Sequence, residues 1–195
     1  MLGCAANTFA ADMGGPVGML QSLADQMISS LQAHKATLKS NPTLVYSLAN
    51  KIVVPHADLN EMSKRVLPPR TWNSASPSER SQFQREFTTL LVRTYASALE
   101  DYKDEKVRFF PVRGGYAGRS DVKVDSQIVR SSGPSISMSY RLVSTGSGWK
   151  LYDMTVEGVS ILESFRSQFA DQLSQGSMAD LLRTLAQHNS DNSGR

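Results

Sequence analysis

The spacing of apolar residues changes once along this chain, near Lys106, and that change constrains the fold more than any other feature. Before it, hydrophobic side chains recur every three or four residues; after it, they alternate. Helices followed by a strand meander make an α+β domain rather than an alternating α/β one.

The helical part can be read in pieces. Leu20, Leu23, Met27, Ile28 and Leu31 predict an amphipathic helix from Gly18 to about Gln32. Asn41-Pro42 offers a cap and first turn for a second helix through Leu44, Leu48 and Ile52, which Pro55 interrupts. Leu59, Met62, Val66 and Leu67 predict a third, ended by Pro68-Pro69. Ser76-Pro77-Ser78-Glu79 is a capping box with proline at the first helical position. The aromatic-rich stripe that follows, from Phe83 to Tyr102, predicts a helix roughly 40 Å long.

The alternating part divides at turn-like breaks. Val107, Phe109 and Pro111 form one run, Val122 to Ile128 a second, Ile136 to Leu142 a third and Trp149 to Val156 a fourth. Ile161, Leu162, Phe165 and Phe169 then return to helical spacing, as do Met178, Leu181, Leu182 and Leu185. The expected organisation is a flexible N-terminus over 1–17, one domain over 18–188 and a flexible polar tail over 189–195. Within the domain, 18–105 is the helical part, 106–158 the sheet and 159–188 the C-terminal helices. A curved antiparallel sheet of about four strands, covered by helices, with a helical subdomain, is the nuclear-transport-factor-like architecture. Curving around the long helix, such a sheet leaves a cone-shaped cavity. Joints between the helical part and the sheet are expected around Pro68-Pro69 and Gly158.

At 195 residues and 40% hydrophobic, the chain can bury one sizeable core. Its 21 basic and 18 acidic residues give a net charge of +3, and no Lys/Arg run is long enough for a nucleic-acid patch. So small an excess is an ordinary solubility feature. No stretch approaches the roughly 18 apolar residues of a membrane-spanning helix. Leu2 to Ala11 resembles the end of a secretory signal whose basic and long apolar parts are missing. Cys4 is the only cysteine, so neither an intramolecular disulfide nor a thiolate metal cluster is possible.

Catalytic patterns are absent at the level of sequence. Gly158-Val159-Ser160 does not continue into a nucleophile elbow, and there is no Gly-rich phosphate loop or dinucleotide fingerprint. His34, His56 and His188 lack ligand-spaced partners, so no metal site is expected. Asp153 and Glu157, four apart at a strand end, are the one carboxylate pair placed for acid–base work; a wet strand end is the simpler reading.

Three motifs then carry a family resemblance. The first is Ser74-Ala75-Ser76-Pro77-Ser78-Glu79-Arg80 with Phe83, Phe87, Leu91, Tyr95, Ala98, Leu99 and Tyr102 downstream. The second is Trp149-Lys150-Leu151-Tyr152-Asp153-Met154-Thr155-Val156-Glu157-Gly158-Val159-Ser160. The third is Val53-Val54-Pro55-His56-Ala57-Asp58 with Met62-Ser63 and Trp72. In this order and spacing, across about Leu20 to Gln187, the chain resembles the MlaC family, also called toluene-tolerance auxiliary proteins.

The resemblance implies a periplasmic phospholipid carrier, not an enzyme, that helps maintain outer-membrane lipid asymmetry. Phospholipid is its cargo, and no cofactor is implied. Its expected partners are an outer-membrane lipoprotein–porin complex and an inner-membrane ABC transporter with an MCE-domain subunit. Acyl chains would lie between sheet and helices, against Phe83, Phe87, Leu91 and Tyr95 of the long helix, with Val66 and Trp72 before it. Met138, Tyr140, Leu142, Tyr152, Met154 and Val156 are the sheet's candidates, and Val159, Leu162 and Phe165 follow it. Periodicity alone favours close-packed core for most of these side chains, so the pocket rests on the resemblance. Two other readings stay open: an enzyme with a cone-shaped active site, and an assembly module whose apolar face docks a protein.

Overall fold

The structure is a computed structural model that describes residues 14–38, 41–100 and 104–191. The leader-like N-terminus with Cys4, and Tyr102 of the long-helix pattern, lie outside the described residues. Five helices come first: α1 (Pro16–Ala33), α2 (Pro42–Ile52), α3 (Leu59–Val66), α4 (Pro69–Ser74) and α5 (Pro77–Glu100). Five strands follow, β1 (Lys106–Phe109), β2 (Asp121–Val129), β3 (Ile136–Thr145), β4 (Gly148–Val156) and β5 (Val159–Ser160). Helices α6 (Ile161–Gln175) and α7 (Met178–Asp191) close the chain. The strands form one open antiparallel sheet in sequence order, so the α+β reading holds with one strand more than expected.

That extra strand comes from a tight turn. Glu157 and Gly158 both have positive φ, 48° and 84°, which bends the chain straight back so that Val156 pairs with Val159. The short helix α4 was also not legible, because the Pro68-Pro69 that ends α3 supplies the first-turn proline of the next helix.

Local chemistry fixes the helix starts. Ser76 and Glu79 form the expected capping box, with Glu79 N–H donating to Ser76 Oγ at 3.2 Å and Ser76 N–H to Glu79 Oε2 at 2.8 Å. The bonds that the Glu79 carboxylate accepts from Ser76 N–H and from the Ser76 hydroxyl hold it below its ordinary pKa. Ser177 and Asp180 repeat the device at α7. Asn41 does not cap α2; its Oδ1 accepts from Thr43 Oγ1 instead.

Three apolar clusters organise the interior. The largest joins α3 to α7 with β4, and at its centre Phe83, Phe87, Phe165 and Phe169 lie 5.5–5.8 Å apart, ring to ring. Mostly edge-to-face contacts of this kind add about 0.5–1.5 kcal/mol per pair beyond burial. A second cluster belongs to α1 and α2, around Leu31, Leu38 and Val45. In the third, Leu20 of α1 packs on Val122, Val124 and Leu142 of the sheet. The long helix α5 packs chiefly on α2, α3 and α7 rather than inside a wrapped sheet.

At the C-terminus, α7 continues to Asp191, where a frayed tail from Asn189 is the sequence expectation. Asn189 is buried and its Nδ2 donates to Glu86 at 2.7 Å, so α7 is fastened to α5 one turn beyond its last leucine.

Candidate functional site

A cavity of about 190 Å³ opens where the first two clusters fail to fill the space between α5 and β4. Helix α5 gives it Thr88, Leu91, Val92, Tyr95 and Leu99, a single stripe at steps of three and four. Across from that stripe stand Leu151, Asp153 and Met154 of β4, with Ile161 and Leu162 from the first turn of α6. The third wall comes from Met27 of α1, Ala49 of α2, and Leu59 and Met62 of α3. Val53, Val54 and Ala57 complete it from the connection between α2 and α3. The surface is almost entirely apolar. Desolvation there pushes the Tyr95 phenol above its ordinary pKa.

The connection forms a strap across the sheet edge. Pro55 breaks α2, and residues 54–56 make one 3-10 turn. Ala57 bridges to Leu151 in parallel, Asp58 N–H donates to Leu151 O at 2.8 Å, and Lys150 Nζ donates to Pro55 O at 2.6 Å. Asp58 then caps α3 by accepting from Glu61 N–H. Farther along α3, the Arg65 guanidinium lies 4.3 Å from the centre of the Tyr152 ring, and Tyr152 donates its hydroxyl to Asp121.

Only four of the expected contact residues line this cavity: Leu91, Tyr95, Met154 and Leu162. Val66, Trp72, Phe83, Phe87, Tyr152 and Phe165 are buried in the large core cluster, and Val156 packs against it. Tyr140 and Leu142 belong to the cluster under α1. Met138 borders a shallow polar depression with Phe110 and Ser139, away from the cavity. Val159 is 61% exposed, as an edge-strand residue just past a turn.

A β-bulge explains part of this sorting. Leu142 pairs with Leu151 but Arg141 pairs with Asp153, so Tyr152 is one residue too many in β4. Strict alternation fails there, and Leu151, Tyr152 and Asp153 are all buried. The bulge turns Leu151 and Asp153 toward the cavity and Tyr152 toward α3.

Asp153 is the one carboxylate in the wall among the described residues. Its Oδ2 accepts from Ser160 Oγ at 2.8 Å and its Oδ1 from Leu162 N–H at 3.1 Å. Ser160 in turn caps α6 by accepting from Glu163 N–H. Both oxygens therefore anchor a helix start. Glu157 lies outside β4, on the turn, and accepts from Ser137 N–H, so the two carboxylates of the sequence pattern do not meet. Replacing Asp153 with alanine should leave the Leu162 amide and Ser160 without their partner. We expect about 1–3 kcal/mol lost stability, read from the urea midpoint. His56 lies in the strap but not in the cavity wall, and no metal-ligating group of three is present among the described residues.

An antiparallel sheet and a helical layer enclosing an apolar cavity define a protein that binds hydrophobic molecules rather than one that holds a polar substrate. Residues 21–187 match the family described as MlaC protein, and the chain belongs to that family. It is 28% identical over 170 residues to the toluene tolerance protein ttg2D of Pseudomonas putida, covering 87% of this chain and 78% of that one. To the intermembrane phospholipid transport system binding protein MlaC of Haemophilus influenzae it is 24% identical over 175 residues, covering 88% and 81%. A phospholipid-binding protein from Ralstonia solanacearum, solved in complex with a phospholipid, superposes with a TM-score of 0.83 at 28% identity. That match covers 91% of this chain and 98% of the other.

Proposed function

We propose that this chain is a periplasmic phospholipid carrier that moves lipid between membranes, and that it is not an enzyme. The observation that carries the reading is the apolar cavity between α5 and β4, set in the fold of a protein solved with phospholipid bound. Covering acyl chains is worth about 0.8 kcal/mol per methylene, so a wall that presents almost no polar surface is what lets a lipid leave one bilayer and cross water. The intermembrane transport named for the Haemophilus relative supports the same direction of thought. Exchange with an outer-membrane lipoprotein–porin complex at one end and an MCE-domain ABC transporter at the other completes the reading. Asp153, the carboxylate an enzyme would use, is engaged in capping α6.

Organic extraction and mass spectrometry of protein expressed with a secretory leader test it. The expected result is phospholipid at near-stoichiometric amounts. An extract no richer in lipid than that of an unrelated periplasmic protein would remove the reading.

A further inference from the structure

The modest net charge of this chain conceals a strong separation of charge. Between Lys106 and Lys150 the sequence has eight basic and two acidic residues, whereas the remainder, out of 21 basic and 18 acidic in all, has thirteen and sixteen. The sheet segment is thus at +6 and everything else at −3.

Register places much of that charge on one surface. Arg108 pairs with Gln127, Lys106 with Val129, and Lys123 with Arg141, so these four cations share one face of the sheet. It is the face opposite Val122, Val124 and Leu142, which pack under α1. Lys106, Arg108, Lys123 and Arg141 are all exposed, as are Arg113 and Arg119 on the loop joining β1 to β2. Asp121 and Asp125 are the acidic residues on this face over β2; Asp125 takes Lys123 at 3.1 Å and Asp121 lies 4.0 Å from Arg141. Lys106, Arg113 and Arg119 are open to water, and Arg108 lies 5.5 Å from the centre of the Phe110 ring with its charge still exposed.

We propose that this face docks the protein on the anionic lipid surface of a membrane. The proposal rests on the carrier reading above, since a shuttle must reach bilayers at both ends of its path. Two properties favour a lipid surface over a protein partner. The cations are spread across three strands and a loop instead of converging on a pocket, which suits a plane of diffuse negative charge. Between them stand Gln127, Ser137 and Ser139, and the neighbouring rings are already engaged, Phe110 against Arg108 and Tyr152 with Asp121, whereas the centre of a protein interface is depleted of charge and built on free aromatic anchors. The opposite net sign of the remaining chain orients the molecule, sheet first.

The test is co-sedimentation of the full chain with phosphatidylglycerol-containing vesicles and with pure phosphatidylcholine vesicles. Wild type should pellet with the first only, and added salt should release it. Replacing Arg108, Arg113, Arg119 and Lys123 by glutamine should weaken partition on the order of a hundredfold. An Arg166→Gln, Arg183→Gln variant, altered on the exposed faces of α6 and α7, should still bind. Equal binding by the quadruple variant, or equal loss in both variants, would overturn the proposal. So would wild type that ignores anionic vesicles but is captured, salt-sensitively, by a lipid-free membrane complex; the face would then serve a protein. Copurified phospholipid is measured on every sample. Its absence from wild type would sink the carrier reading and leave the vesicle result standing, while its retention in the quadruple variant separates docking from cargo.

Discussion

An aspartate in place of Leu91 is expected to strip the protein of bound phospholipid while leaving it folded. Leu91 lies midway along the stripe that α5 gives the cavity, in a wall with almost no polar surface. An unpaired carboxylate facing acyl chains costs several kcal/mol, enough to lower lipid occupancy more than tenfold. Aspartate is the right probe because its short side chain cannot carry the charge out to water, as a lysine would. Leu91 is only half-buried, so the fold has room to tolerate the change. Met138→Asp is the comparison, since Met138 borders a polar depression on the far strands and should keep its lipid. Leu91→Trp, which fills the cavity without adding charge, guards against misfolding of the aspartate variant. Wild-type lipid in folded Leu91→Asp and Leu91→Trp protein would place the cargo somewhere else.

The contrast between Leu91 and Phe87 shows what the sequence could and could not reveal. Both occupy one helical stripe, and both are apolar. Phe87 is 2% exposed and closed in by Phe83, Phe165 and Phe169, while one turn later the same stripe meets empty space. A hydrophobic pattern records that a side chain leaves water; it does not record whether its neighbour is another side chain or a void. Fold class, six of the seven helices and four of the five strands were therefore legible from periodicity. The cavity was legible only in part. Met27, Ala49, Val54, Ala57, Thr88 and Val92 were missed because they come from three separate elements and the strap. A usable signal did exist in Ala49, Ala57 and Thr88, small side chains on faces that otherwise carry large ones. The bulge at Tyr152 had no such signal, and it misdirected the assignment of alternate residues in β4.

The expected joints were also misplaced. Val66 and Leu67 before Pro68-Pro69 and Trp72 after it are buried in the same cluster, as are Ile161 and Leu162 beyond Gly158, so neither point separates two bodies. Among the described residues, the one segment that crosses between clusters with no buried side chain is the strap, residues 53–58, which runs from α2 to α3 over the edge of β4.

That strap should be the part that moves when lipid is handed over, and fixing it should stop transfer. The cavity of about 190 Å³ is below the roughly 300–1,000 Å³ of ordinary ligand sites, while a two-chain lipid needs the top of that range or more. Loading therefore requires the wall to part, and the strap is its weakest wall. It is held to β4 by the Ala57–Leu151 bridge and by the bonds from Asp58 N–H to Leu151 O and from Lys150 to Pro55 O, with no fully buried side chain of its own. A partner that binds the open form better would shift the equilibrium by its differential affinity, which is how a tight carrier can still deliver. Ala57→Cys with Leu151→Cys in a Cys4→Ser background would lock it, since bridge partners stand within the about 4.4–6.8 Å that a disulfide spans between Cα atoms. Protein loaded first and then oxidised should keep its phospholipid and lose at least about tenfold in transfer rate to proteoliposomes bearing the acceptor complex. Reduction should restore the rate, which separates a locked strap from a damaged cavity. Transfer at the same rate in oxidised and reduced protein would mean that lipid leaves by another route, with the strap still closed.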